Sequence, residues 1–320
     1  MYHVVVSDNV DRRAVKLLTD HPDFSVNGPA KMTRAEVLAA VPSADALIIR
    51  SGTIADAELI SAAPRLKVIA RAGVGVDNVD LPAATQHGIR VMNTPDGNTI
   101  STAEHAFGLM LALARHIPQG HQSLLEGRWD RKLFTGVELR GKTLGIVGFG
   151  RIGRALAARA RAFEMHVITH DTFPDAMVAD AIGVDLVTLE SLYRRSDFIS
   201  LHANATPESY QMIDAGAIAI MKRGVRIINA ARGALIDDAA LAEAVRSGHV
   251  AGAALDVYHE EPPPADHPLL GLDGVLHTPH LAASTSDAQT NVGFDAVKLV
   301  INALTTGEYE NVVNPDVLLA

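Results

Sequence analysis

The chain has 320 residues, 48% hydrophobic and 20% charged, a balance too apolar for a disordered protein and long enough for two domains at roughly 100–200 residues each. Lysine and arginine number 28 against 37 acids, a net charge of −9, which removes any global electrostatic reason to bind nucleic acid or an anionic membrane. There is no cysteine, so disulfides, thiolate metal sites and thiol nucleophiles are excluded, and a cytoplasmic setting is the simplest expectation.

The N-terminus lacks a basic segment followed by a long apolar run, so no signal peptide is expected. Short, nearly all-apolar runs at 3–6, 46–49, 67–70 and 90–92 have the pattern of strands covered on both faces, with helical stretches at 12–18 and 34–40 between them. Ser101 or Thr102 is the expected cap of a long helix that runs to Pro118. Its apolar core, 106–114, is well short of the about twenty residues a membrane span needs. Residues 119–134, with Trp129, Asp130, Arg131 and Lys132, are expected to be a loop that packs on something, such as another subunit. A second strand series follows at 143–147, 166–168, 198–201, 225–228, 252–255 and 275–276, and a second long helix at about 287–304. Four strands and then six, alternating with helices, predict an α/β protein with two parallel sheets. Two long helices bracketing the second series suggest an inserted domain, with 1–98 and 287–320 forming one domain and 99–286 the other.

Gly148-Phe149-Gly150-Arg151-Ile152-Gly153 fits G-x-G-x-x-G, between the strand at 143–147 and a helix at 154–163. The first glycine permits a tight turn, the second lets a pyrophosphate approach the backbone, and the third lets helix and strand pack closely. The helix N-terminus then offers unpaired N–H groups to the phosphates. Asp171 lies 18 residues beyond Gly153, near the ~20 expected of the carboxylate that binds the adenosine ribose. A carboxylate there repels a 2′-phosphate, so NAD is expected over NADP.

Several stretches resemble one family. They are Arg71-Ala72-Gly73-Val74-Gly75-Val76-Asp77, Thr94-Pro95-Asp96-Gly97-Asn98, Asn229-Ala230-Ala231-Arg232-Gly233, Ala253-Ala254-Leu255-Asp256-Val257, Glu261-Pro262 and His280-Leu281-Ala282-Ala283-Ser284-Thr285. Together they are similar to the D-isomer-specific 2-hydroxyacid dehydrogenases, and within that family to the branch acting on 3-phosphoglycerate. The resemblance implies a Rossmann NAD-binding domain inserted into a flavodoxin-like substrate domain, with the active site in the cleft between. It implies a catalytic trio of Arg232, Glu261 and His280. It also puts the backbone of Arg151 and Ile152 at the pyrophosphate, Ala203 and Pro207 near the adenosine, and Ala230 and Asp256 at the nicotinamide, where Asp256 would accept from the carboxamide. The loop Gly73-Val74-Gly75 would offer N–H groups to the substrate carboxylate. No metal site is expected.

The trio has a chemical logic of its own. A planar guanidinium such as Arg232 can grip a carboxylate and the C2 oxygen together. His280 has the titration range for the base that removes the hydroxyl proton, and for the acid in reverse. Glu261, bonded to the far ring nitrogen, would fix the tautomer. A phosphorylated acid needs further cations; the candidates are Arg50 and Arg71 at strand ends, then Arg131 or Lys132. Without such a tail the expected substrate is hydroxypyruvate or glyoxylate, and a more distant alternative is an NAD-sensing corepressor.

Some positions depart from the family pattern. Asn204 and Ala205 stand where proline and leucine are usual, and Ala234 and Ala282 each replace a common glycine. The chain ends before any C-terminal regulatory domain, so serine feedback is not expected. Phe107, Leu109, Met110, Leu111 and Leu113 cover most of the first long helix. Part of that surface is therefore expected to face beyond its own domain, as in a homodimer joined through the NAD-binding domains.

Overall fold

Strands that are apolar on both faces are stable only between two helical layers, and this requirement shapes both sheets. The structure, a computed structural model, describes residues 1–28 and 31–318. The chain divides into two compact units, Met1–Asn98 with Ser284–Ala320, and Thr99–Ala283. In the first unit the elements run β1 (Tyr2–Val6), α1 (Arg12–Thr19), β2 (Phe24–Asn27), α2 (Arg34–Ala40), β3 (Ala46–Ile49), α3 (Ala57–Ser61), β4 (Val68–Arg71), α4 (Leu81–Gln86) and β5 (Arg90–Asn93). The second unit opens with α5 (Thr99–Arg115) and α6 (Ile117–Leu125), then β6 (Thr143–Val147), α7 (Arg151–Ala162), β7 (His166–His170), α8 (Ala176–Ala181) and β8 (Asp185–Leu186). It continues with α9 (Leu189–Arg195), β9 (Phe198–Leu201), α10 (Ala215–Ile220), β10 (Val225–Asn229), α11 (Asp238–Arg246), β11 (Val250–Leu255) and β12 (Val275–His277). The last helix, α12 (Ser286–Thr305), belongs to the first unit.

The first sheet has the order β2-β1-β3-β4-β5, all parallel, which is the flavodoxin arrangement. One face carries a core of Val4, Ile48, Val68 and Met92 against α1 and α12; the other buries Leu47, Ile49, Ile69 and Val91 with Leu59 and Val37. The second sheet runs β8-β7-β6-β9-β10-β11-β12, the 3-2-1-4-5-6 order of dinucleotide-binding folds with a seventh strand added. Its faces bury Leu144, Ile146 and Phe198 with α5 and α7, and Ile199, Ile227 and Leu255 with Leu192 and Leu241.

Two strands lie outside the runs expected from sequence, β2 and β8, and both are edge strands. Only Phe24 of β2 is buried, and β8 has two residues, neither fully buried. An edge strand has one neighbour and need not be apolar throughout.

The expected cap at Ser101 or Thr102 is also corrected. The helix begins at Thr99, and both residues are buried inside it. The helix also stops before Pro118. His116 takes a left-handed conformation, φ 52°, and a new helix, α6, starts with Pro118 in its first turn. Proline suggests a stop in the sequence, but its fixed φ and missing N–H suit a helix start equally well. Residues 117–125 are therefore helix and not loop.

Much of the apolar surface of α5 is covered within its own unit, though Ile100 near its start is 54% exposed. Phe107, Leu109, Met110 and Leu113 are all buried, in contacts that run from α7 to β10, β11 and β12, and Phe107 meets Phe163 edge-on at 4.7 Å. The inference that this helix must face another subunit therefore loses its ground. Further along lies a group of exposed apolar side chains, Ile117, Leu124, Leu125, Trp129 and Leu133, with Trp129 at 79% exposure.

Candidate active site

The glycine loop joins β6 to α7. Gly148 has φ +93°, and a Cβ there would sit 2.6 Å from the carbonyl carbon of His202, so both conformation and space require glycine. A Cβ on Gly153 would overlap the Gly148 carbonyl oxygen, which shows how tightly α7 lies on the turn. Gly150 is different, because a Cβ on it would meet nothing within 4 Å. Open space thus lies where a pyrophosphate would approach. Aspartate or threonine side chains cap α1, α2, α9, α11 and α12, but α7 begins at Gly150 with no side-chain cap. A helix start without a side-chain cap is the arrangement that can receive a phosphate.

Asp171 follows β7 and reaches back to this loop. Its Oδ2 accepts the Phe149 N–H at 2.5 Å and its Oδ1 the Phe173 N–H at 2.8 Å. The acid therefore holds the glycine turn. Ala203, half-buried, and Pro207, exposed, lie on the loop after β9; Ala230 is buried at the end of β10. Replacing Asp171 with alanine should weaken NAD ten- to a hundredfold, the scale of about 1.5–3 kcal/mol for a charged hydrogen bond, and narrow the preference over NADP. Titration of both cofactors by NADH fluorescence checks this; equal affinity in the unmodified chain would remove the argument.

Three neighbouring parallel strands supply the predicted trio. Arg232 comes off β10, Glu261 follows β11 and His280 follows β12, with Asn229 paired to Leu255 and Leu255 to His277 across the ends. His280 Nδ1 and Glu261 Oε2 are 2.7 Å apart. A carboxylate only accepts, so Nδ1 carries the proton and Nε2 is not the nitrogen committed to Glu261. The other oxygen of Glu261 accepts the Tyr258 N–H at 3.1 Å, so the acid is oriented from its own loop. His280 has φ 54°, a left-handed backbone costing about 1–3 kcal/mol for a non-glycine residue. Its side chain is 49% exposed.

Arg232 is extended, its main-chain oxygen accepts from Asn229 Nδ2 at 2.8 Å, and its own guanidinium donates to the Ala231 oxygen at 2.7 Å. The next residue, Gly233, presses on the backbone of Tyr258 and His259, where a Cβ would overlap main-chain atoms. This close approach brings the loop of Arg232 against the loop of Glu261.

Asp256, expected at the nicotinamide carboxamide, is fully buried, with its carboxylate engaged by protein donors. Burial pushes its pKa up, but hydrogen bonds from His105, Thr278 and the N–H groups of Leu281 and Ala282 outweigh that and hold it below the usual carboxylate range. Its Oδ1 accepts three of these donors, whereas its Oδ2 accepts only the Ala282 N–H. Sequence reasoning missed His105, Asn229 and Thr278. A histidine on an otherwise apolar helix was the available signal for the first.

The substrate-binding candidates of the first unit gather at the carboxyl ends of β3 and β4. Arg71 pairs with Ile49, and Arg50 follows it; the Arg50 backbone N–H donates to Asp8 at 2.6 Å and its side chain to the Asn9 oxygen at 3.2 Å. The Arg71 guanidinium lies over Gly73, filling the space a Cβ would need. Asn93 Nδ2 donates to the Val74 oxygen at 2.6 Å, fixing the Gly73-Val74-Gly75 turn.

Residues 107–282 match the family profile of the D-isomer specific 2-hydroxyacid dehydrogenase, NAD binding domain. The chain is 49% identical over 311 residues to a D-3-phosphoglycerate dehydrogenase of Archaeoglobus fulgidus, covering 97% of this chain and 59% of that protein's length. Among solved structures it is similar to the TT0316 protein from Thermus thermophilus, with a TM-score of 0.88 and 38% identity over 97% of this chain and 99% of the other. A glyoxylate reductase from Paecilomyes thermophila superposes with a TM-score of 0.87 at 32% identity, covering 98% of each chain.

Proposed function

The chain belongs to the D-isomer specific 2-hydroxyacid dehydrogenase family, and on that premise we propose that it moves a hydride between C2 of a D-2-hydroxy acid and NAD, with 3-phosphoglycerate as the acid. The observation that carries this reading is the 2.7 Å bond between His280 and Glu261, at the carboxyl edge of the sheet that also bears the glycine loop. Bound NAD supplies the hydride acceptor. Its pyrophosphate would be held by Gly148, Gly150, Arg151, Ile152 and Gly153, with Asp171 on the ribose. In the oxidative direction the hydride leaves C2, the C2 hydroxyl proton passes to His280 Nε2, and the C2–O bond becomes a carbonyl. Glu261 stabilises the imidazolium that forms, and Arg232 holds the carboxylate and the C2 oxygen. In reduction His280 returns the proton to the carbonyl oxygen.

Two features favour a phosphorylated acid: the identity to a phosphoglycerate dehydrogenase, and the adjacent cations Arg50 and Arg71 on neighbouring strand ends. The likeness to a glyoxylate reductase favours the second reading, reduction of hydroxypyruvate or glyoxylate by the same trio. NADH absorbance with purified protein and a panel of these acids separates the two; turnover of none of them overturns both. If the tail anion is bound by Arg50 and Arg71, alanine at either position should raise KM for the phosphorylated acid ten- to a hundredfold, from about 1.5–3 kcal/mol per charged contact, and leave kcat nearly unchanged. Hydroxypyruvate should be little affected. A KM within twofold in both variants sinks the phosphate assignment.

A homodimer is part of the proposal, carried by exposed Leu124, Leu125, Trp129 and Leu133, a set of large apolar side chains on α6 and the segment after it. Light scattering should return twice 33.9 kDa at micromolar concentration; a monomer there refutes it. A cytoplasmic setting goes with this reading. Among the described residues no helix is long and apolar enough to cross a membrane.

A further inference from the structure

A second polar cluster lies behind the Glu261–His280 pair, and the chemistry above leaves one of its members, His105, without a role. His105 stands on α5, Asp256 directly after β11, and Thr278 directly after β12. Asp256 Oδ1 accepts from Thr278 Oγ1 at 2.5 Å, from the Leu281 N–H at 2.7 Å and from His105 Nε2 at 3.1 Å. Its Oδ2 accepts the Ala282 N–H at 2.9 Å, and its main-chain oxygen accepts the His280 N–H, also at 2.9 Å. Three consecutive N–H groups, those of His280, Leu281 and Ala282, therefore converge on one residue. Two of them, from Leu281 and Ala282, reach the carboxylate itself, a convergence that a left-handed residue in a turn produces, and His280 is that residue.

The four donors to the carboxylate are not equivalent. Thr278, Leu281 and Ala282 belong to the loop that carries His280, so they move with it. His105 alone comes from another element, a helix of 17 residues packed against its own sheet. It ties the buried carboxylate to a part of the fold that does not depend on the loop. The same Nε2 is 3.2 Å from Thr278 Oγ1, whose own proton goes to Asp256; with the carboxylate only accepting, His105 Nε2 carries a proton shared between Asp256 and Thr278.

We propose that His105 is a positioning residue for His280, one whose Nε2–H fixes the Asp256 carboxylate so that the loop holds His280 left-handed with Nδ1 on Glu261. The proposal rests on the reading of His280 as the proton-exchanging group. Without His105 the carboxylate can rotate or take a water in its place, and the loop loses its anchor to α5. His280 is then present but incorrectly placed, a loss that falls on turnover more than on ground-state binding.

The test compares His105→Ala and His105→Gln in the full chain, with 13C-labelled histidine rings observed by NMR. The His280 signal is identified by its loss in His280→Ala. In His105→Ala the His280 signal should move and kcat should fall about ten- to a hundredfold, with KM for the acid and Kd for NAD within twofold. His105→Gln keeps helix propensity and an amide N–H of similar reach. It should fold whether or not the alanine variant does, and should restore both the signal and kcat to within threefold. An unmoved His280 signal in the alanine variant overturns the proposal. So does a loss that glutamine does not restore, which would mark a packing role, or a raised NAD Kd with normal kcat, which would assign His105 to the cofactor. If the unmodified chain turns over no 2-hydroxy acid, the functional reading falls, while the ring signals still decide whether His105 positions His280.

Discussion

Replacing His280 with alanine should lower kcat about 10²- to 10⁴-fold, the usual scale for losing a general acid or base. Nδ1 is committed to Glu261 at 2.7 Å, and the ring is half exposed on its other side, where only Nε2 can exchange a proton. NAD affinity should be nearly unchanged, since the glycine loop and Asp171 are held by β6, β7 and their own hydrogen bonds. Glu261→Gln is the companion variant. A glutamine oxygen can still accept from Nδ1, but it cannot stabilise an imidazolium as a carboxylate does, and exchanging a charged hydrogen bond for a neutral one costs about 1 kcal/mol or somewhat more. That predicts a loss in kcat of about tenfold. In the double variant the two losses should not add, because Glu261 acts through the ring that His280→Ala removes. Turnover within threefold of normal in His280→Ala would place the base elsewhere.

The glycine loop is legible in the sequence because each of its roles is local. A turn, an open approach and a close helix–strand contact are all properties of six consecutive residues, and the structure places Gly148, Gly150 and Gly153 in those three situations. The trio is legible in another way. Arg232, Glu261 and His280 are scattered over some fifty residues, and nothing local separates His280 from the other histidines; the resemblance to a family picks them out. The structure joins Glu261 to His280 and brings the Arg232 loop against the Glu261 loop through Gly233. The link from His105 to Asp256 spans 151 residues and has no spacing rule, so it is visible only in the folded chain. Asp256 stands in a recognisable motif, but its burial and its protein donors are visible only in the folded chain. Errors in secondary structure have similarly specific causes. Pro118 is compatible with a helix end or a helix start, and only the left-handed His116 before it decides. The apolar breadth of α5 is mostly accounted for by α7 and three strands, which the sequence does not bring beside it.

Two glycine-to-alanine substitutions should give opposite signatures, and the contrast tests how the site is built. Gly233 is packed so closely on the main chain of Tyr258 and His259 that a methyl group has no side chain to push aside; backbone must move. Ordinary carbon contacts are about 3.5–4.0 Å, so the two loops must part by about 1 Å or more. Either Arg232, clamped by Asn229, or Glu261, oriented by the Tyr258 N–H, must shift with them. A displacement of that size in a catalytic group costs about a hundredfold, so kcat/KM should fall by about 10² in Gly233→Ala. Overpacking should also lower stability by about 1–3 kcal/mol, visible as a reduced Tm. At Gly150 the added methyl meets no protein atom within 4 Å, and Tm should stay where it is or rise slightly. The methyl instead occupies the space in front of the α7 N-terminus, so NAD should bind at least tenfold more weakly, about 1.4 kcal/mol. Thermal unfolding and NAD titration of the two variants provide the check. If Gly233→Ala kept kcat/KM within threefold, the contact between the Arg232 and Glu261 loops would not be what sets the trio. If Gly150→Ala bound NAD normally, the open space at the helix start would not be the pyrophosphate site.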